Sequence, residues 1–201
     1  IICPTTPISL YLTIMTTKKT HNLLPSRIQS ELLLTNYISN RNLQHHCHMV
    51  AMALAAYAIQ LHEDEELWYQ AGLLHDLDWE KFPDEHPNYA TRKLLKGYPQ
   101  ELIDAVASHA PNRSGHQPQS QLDKYLFACD ELAGFMHAVS LMRPNSFKDM
   151  KPKSIMKKLK DKSFAANVSR DDIYHGAELI NTNLSDHIAF LIEVFQNMSK
   201  K

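Results

Sequence analysis

The sequence predicts an all-α protein, a bundle of helices around one apolar core. Three observations predict it. Apolar residues recur at helical spacing between residues that favour helix caps, in segment after segment. Glycine is scarce at five residues, which weighs against loop-rich β folds and Gly-rich phosphate cradles. No stretch alternates apolar and polar residues as a half-buried strand does, and no internal repeat is evident. The chain has 201 residues, 44% of them hydrophobic, which suits one domain, or one domain with an appended segment, and a sizeable core.

The stretch from Ile1 to Met15 fits nothing that follows it. Pro4 and Pro7 break its apolar run, no basic residue precedes it, and it is too short to span a bilayer. Position 1 is not methionine, whereas Met15 followed by Thr-Thr-Lys-Lys reads as a natural start. Residues 1–25 are therefore expected to be a disordered N-terminal extension or a mis-set start, with a membrane-directed leader as the rival reading. Residues 26–145 are expected to form the core, and 146–201 a helical extension packed on it.

The helices follow in order. Ser26 caps a predicted helix over 27–38, with Ile28, Leu32, Leu33 and Leu34 at helical spacing. Asn40 caps a second, running to Leu61, whose stripe is Val50, Leu54, Ala55, Ala58 and Ile59. Its alanines let a neighbouring helix approach closely. The acidic cluster Glu63 to Glu66 complements the dipole of a third, ending at His75 with Leu67, Ala71 and Leu74 inward. Pro87 opens a fourth over 87–96 and Gly97 stops it. Pro99 opens a fifth over 100–109, and Ala110 to Pro118 is a polar loop. Ser120 and Asp123 cap a long sixth over 121–141, with Leu122, Leu126, Cys129, Leu132 and Ala133 inward and Asp130 beside them. A basic segment from Lys148 to Lys162 turns helical after Pro152. Two closing helices are predicted over 169–180 and 185–198.

Charge and cysteine content narrow the function classes. A formal net charge of -1 supplies no global field for nucleic acid or an anionic membrane, and neither is expected as a partner. The three cysteines, Cys3, Cys47 and Cys129, show no CxxC pairing and form no disulfide framework. A reducing, cytoplasmic setting is the expectation.

Twelve histidines is a high count, and several stand where a helix interior would otherwise want carbon. The sharpest case is Gly72-Leu73-Leu74-His75-Asp76-Leu77-Asp78, where a histidine and an aspartate end an apolar run. An unpaired charge there is costly, and a metal ion compensates it by accepting an imidazole nitrogen and a carboxylate oxygen together. His46, His75, Asp76, His86, His109 and Asp130 lie at helix ends or on inward faces, and a helical bundle can converge them on one point. His21, His62, His116, His137, His175 and His187 are read as surface, capping or core residues. Trp68, Tyr69, Trp79 and Phe82 are read as core or pocket wall.

This order of His, His-Asp, His, His and Asp resembles the HD superfamily of metal-dependent phosphohydrolases. The nearest likeness is to small single-domain members with an LLHD(I/L)D motif followed by an EHP-like histidine, here Glu85-His86-Pro87. The segments Ala128 to Leu132 and Lys157 to Ala166 resemble that group too, and the likeness runs from about Asn42 to the C-terminus. The resemblance implies an HD-domain bundle with a metal site at its centre. It implies His46, His75, Asp76 and Asp130 as the minimal ligand set, with His45 and His48 as rivals for the first position. His86 and His109 match the extra histidines of members that hold two metals bridged by the signature aspartate. His75 and Asp76 carry over as the catalytic pair. The cofactor implied is a divalent metal, two ions of iron or manganese, with zinc or magnesium as alternatives.

Such a site suits phosphoester hydrolysis. Two neighbouring cations lower the pKa of a bridging water and hold phosphate oxygens. Asp78 and Glu80 are expected to orient ligands or water. Lys124, Arg143 and Lys153 are expected to bind the phosphate of a small phosphorylated substrate, a nucleotide above all. Two other readings are open: a non-catalytic regulatory module that binds metal or nucleotide, and a di-iron oxygenase.

Overall fold

A computed structural model describes residues 24–198. Among them are the helices α1 (Arg27–Tyr37), α2 (Arg41–Leu61), α3 (Glu65–Leu74), α4 (Gln100–Ser108), α5 (Pro111–Ser114), α6 (Gln121–Leu141), α7 (Pro152–Leu159), α8 (Arg170–Leu179) and α9 (Leu184–Met198), and no strand. The fold is all-α. None of the described helices is long and apolar enough to cross a membrane.

The starts of these helices are written in their caps. Asn40 Oδ1 accepts from the N–H groups of Asn42 (2.9 Å) and Leu43 (3.3 Å) at the head of α2. Asp64 does the same for Glu66 and Leu67, at 3.1 Å each, at the head of α3. Ser26 with Gln29, and Ser120 with Asp123, form reciprocal capping boxes for α1 and α6. Each cap satisfies a donor that the helix itself leaves open, worth about 1 kcal/mol.

Packing centres on α2, α3 and α6. The contact between α2 and α3 is the most extensive, and α6 packs against α2, α4 and α8. Gly72 explains the first: a Cβ there would lie 2.7 Å from both Cα and N of Ala51. Only hydrogen at that position lets the two backbones meet. Gly176 does the same for α8, where a Cβ would lie 2.7 Å from Ala128 Cα on α6. Every residue of α3 from Leu67 to Leu74 is buried, so this helix is the hub of the core. Trp68 and Tyr69 are part of it. The described residues end on α9, which packs against α2 and α7. There the buried His187 accepts from the Tyr57 hydroxyl (2.6 Å) at Nδ1 and donates to Ala128 O (3.1 Å) from Nε2.

Two expectations fail here. The inward face of α1 carries Ser30 and Leu34, while Ile28 is 74% and Leu32 58% exposed. The reason is Gln70, a buried amide on α3 that needs polar partners: it accepts from the Ser30 hydroxyl (2.7 Å) and donates to Pro25 O (2.7 Å). Ile59, in the last turn of α2, is likewise exposed, although Cys47, Ala51 and Ala55 before it in the same row are buried. Residues 87–96 also depart from an α-helix. Asn88 and Tyr89 are α-helical and run into a π-helical turn, Ala90–Leu94, in which Leu95 N–H reaches back five residues to Ala90 O (2.9 Å). Ala90 N–H is itself taken by the buried Asp78 carboxylate (2.7 Å), which fixes this segment from outside its own backbone. The expected disordered N-terminal segment and His21 lie outside the described residues, apart from its last two positions.

Candidate metal centre

Five segments deliver six side chains to one point. His46 comes from the second turn of α2, and His75 and Asp76 follow the last residue of α3. His109 caps the C-terminus of α4, Asp130 sits midway along α6, and His86 lies in the connection after α3. The close approach at Gly72 brings the end of α3 to α2, one turn before His75.

Asp76 stands between two groups. Its Oδ2 lies 3.4 Å from His75 Nε2 and 3.8 Å from His46 Nε2. Its Oδ1 lies 3.6 Å from His86 Nε2 and 3.7 Å from His109 Nε2. Asp130 Oδ1 completes the first group, 2.9 Å from His46 Nε2 and 3.4 Å from His75 Nε2. His46, His75 and Asp76 offer one set of ligand atoms within 4.8 Å of one another, and Asp76, His86 and His109 offer another. One carboxylate, with one oxygen toward each set, is the arrangement a bridging ligand needs.

The tautomers point the same way. His75 Nδ1 lies 2.8 Å from Gly72 O, His109 Nδ1 2.6 Å from Val106 O, and His86 Nδ1 2.7 Å from Asp78 Oδ1. Facing oxygens, these three nitrogens carry protons, so it is Nε2 that each ring turns into the cluster and offers as a lone pair once neutral. His75 Nε2 is buried there with no hydrogen-bond partner. His86 and His109 set two Nε2 atoms 3.1 Å apart, lone pair against lone pair. A shared cation removes that repulsion: two nitrogens about 2.1 Å from one ion, at ordinary ligand angles, lie about 3.0–3.4 Å apart. The residues present fit a metal.

Electrostatics agree. Burial works against a charge on His75, yet Asp76 and Asp130 outweigh it and hold the imidazole well above the usual histidine range. Burial would also raise Asp76 and Asp130, but the histidines around them keep both well below the usual carboxylate range. The two partly buried carboxylates thus stay charged and call for positive charge beside them, which metal ions supply in place of protons.

The rival histidines point elsewhere. His45 packs its ring against His137 (4.7 Å between centroids), and His48 Nε2 faces the Glu31 carboxylate at 2.9 Å. Of the two acids after the signature, Asp78 is buried and braces His86, one oxygen on its Nδ1 and the other on Ala90 N–H. Glu80 does something different. Its carboxylate accepts from Ser39 N–H and Asn40 N–H, at 2.9 Å each, and from the Ser39 hydroxyl, tying down the turn before α2.

The cluster opens into a cavity of about 370 Å³, lined also by Trp79, Asn112, Arg113, Phe127, Glu131 and Asp172. Lys124, Arg143 and Lys153 do not line it. Helix geometry explains this: at about 1.5 Å per residue, Lys124 stands about 9 Å and Arg143 about 20 Å along the axis from Asp130. Arg143 is instead paired with Asp149 (3.1 Å), and Lys153 is exposed on α7. The basic side chain at the cavity is Arg113, four residues past His109 in what reads as a polar loop. That spacing, one helical turn after a ligand, was the available signal. Glu131 was also missed. Its carboxylate accepts from Ser169 N–H (3.1 Å), and burial first, then Asp130 and Asp172, push it up to about 8 against that bond.

Compared with protein families, residues 43–134 match the model described as the HD domain. Comparison with curated proteins and with solved structures returned no match.

Proposed function

With residues 43–134 belonging to the HD domain family, we propose that this protein is a metal-dependent phosphohydrolase that cleaves a phosphoester bond of a small phosphorylated substrate, a nucleotide before others. The observation that carries the reading is Asp76, whose two oxygens face two separate histidine groups, His46 with His75 and His86 with His109. His46, His75, Asp76 and Asp130 would hold one divalent ion, and Asp76, His86 and His109 a second. The mixed histidine and carboxylate donors suit iron or manganese. Bound there, such ions activate water near neutral pH and neutralise charge on phosphate oxygens.

The protein's own share is orientation and charge. Gly72 O, Val106 O and Asp78 fix three imidazoles with their Nε2 atoms inward, so little ordering remains at the moment of binding. Four neutral histidines against two carboxylates leave the loaded site net positive, which admits an anionic ester. Trp79 and Phe127 give the cavity apolar wall suited to a nucleobase or another flat group.

The test is a panel of nucleoside monophosphates, dinucleoside polyphosphates, cyclic dinucleotides and simple phosphomonoesters, offered to protein reconstituted with manganese or with ferrous iron. Release of phosphate or nucleotide that disappears on chelation and returns with metal supports the reading. A fully loaded protein that turns over none of them overturns it.

A further inference from the structure

Resting on the phosphohydrolase reading, we propose that Arg113 is the side chain that binds the substrate's phosphate beside the metals. Arg113 is the basic residue that lines the metal cavity. Its guanidinium is held in place before any ligand arrives. Nη1 donates to Pro83 O (2.8 Å) and to His86 O (3.4 Å), and the group lies over the Trp79 ring, 5.2 Å from its centroid. Trp79 in turn stands edge-on to the His86 ring, 4.8 Å between centroids. The charge therefore sits one residue's width from the second histidine group.

Two features separate this arginine from an ordinary surface cation. First, all of its partners are neutral. Among the described residues it forms no ion pair, although Glu131 and Asp172 line the same cavity. Carbonyl oxygens and an aromatic face orient a guanidinium without cancelling its charge. Second, the anchoring uses Nη1 and leaves Nη2 and Nε for another acceptor, the two-donor edge that matches phosphate oxygens. A cation that is oriented, uncompensated and beside a phosphoester site is complementary to a phosphate.

A bland role competes with this one. By bonding Pro83 O and His86 O, Arg113 ties the segment after His109 to the segment carrying His86, and could serve only as a brace between two ligands. The test separates the two. Inorganic phosphate is titrated calorimetrically into metal-loaded wild type, Arg113→Ala and Arg113→Lys, with metal content measured on each sample. The proposal expects unchanged metal content, phosphate binding weakened about 10–100-fold in Arg113→Ala, the range of a charge-assisted hydrogen bond, and a smaller loss in Arg113→Lys. Unchanged phosphate affinity in Arg113→Ala overturns it. So does loss of one metal from Arg113→Ala, which marks a brace. Because phosphate binding needs no turnover, an Arg113-dependent affinity in a protein that hydrolyses nothing would sink the hydrolase reading and leave the anion site standing.

Discussion

The two halves of the candidate metal site are built by different means. The half containing His46, His75 and Asp130 belongs to the packed core: its residues sit on or directly after α2, α3 and α6, and Gly72 sets the helix spacing. The half containing His86 and His109 lies where helices stop. His86 is held in an irregular connection by Asp78 and its neighbours, and His109 caps α4. Asp76 belongs to both. One half is therefore placed by tertiary packing and the other by a few local hydrogen bonds, so they should fail differently.

The largest effect tests the shared residue. Asp76→Ala is expected to remove both metals and all hydrolysis, since both groups lose the one carboxylate they share. Elemental analysis and an activity assay check it, and turnover with normal metal content would break the account.

The next variant tests the loop half alone. Asp78→Ala frees the His86 ring, leaves Ala90 N–H unpaired and lowers affinity for the second metal about 10–100-fold, the usual cost of losing a group that orients a ligand. Competitive chelator titration should resolve one weakened site and one unchanged. If both weaken together, the two halves are not independent.

Gly72→Ala tests the packed half from a distance. Its Cβ would push against Ala51 backbone, a rigid neighbour, and overpacking of this kind costs about 1–3 kcal/mol. Denaturant unfolding measures it. The first metal group should loosen with the fold, because α3 carries His75 and Asp76 away from His46.

The mildest effect uses a buried histidine outside both halves. His187 has both ring nitrogens satisfied, and burial, against the Ala128 carbonyl, pushes its pKa down to about 4. The unfolded chain takes up that proton near pH 6.5, so His187 favours folding fully above that value and progressively less as pH falls toward 4. Between pH 7.5 and pH 5 the loss is about 2 kcal/mol. In His187→Gln the acid sensitivity of unfolding should shrink by that amount. An unchanged pH profile would mean that this histidine is not held neutral.

The contrast between the halves also marks what could be read before the fold was seen. Ser26, Asn40 and Ser120 announce their helices because a cap is a local interaction, complete within four residues. His75 and Asp76 stand out because polar groups at the end of an apolar run need a reason. The choice of His46 over His45 and His48 needed tertiary information, since the three differ only in which neighbour their helix face meets. Asp78 was legible as a supporting residue from its place beside the signature. Glu80, two positions on, was not separable from it, because its partners Ser39 and Asn40 lie about forty residues away. The π-helical turn at Ala90–Leu94 reads as an α-helix for the same reason: its geometry is set by a distant carboxylate. Arg113 was hidden because α5 reads as a polar loop, while the lysine-rich segment drew attention by count alone.

Metal content per chain, measured on anaerobically purified protein with iron and manganese quantified, tests the central claim most directly. Two equivalents in the wild type, falling to one in His86→Ala, is the predicted result. One equivalent in both would reduce His86 and His109 to supporting groups, and none after reconstitution would contradict the account.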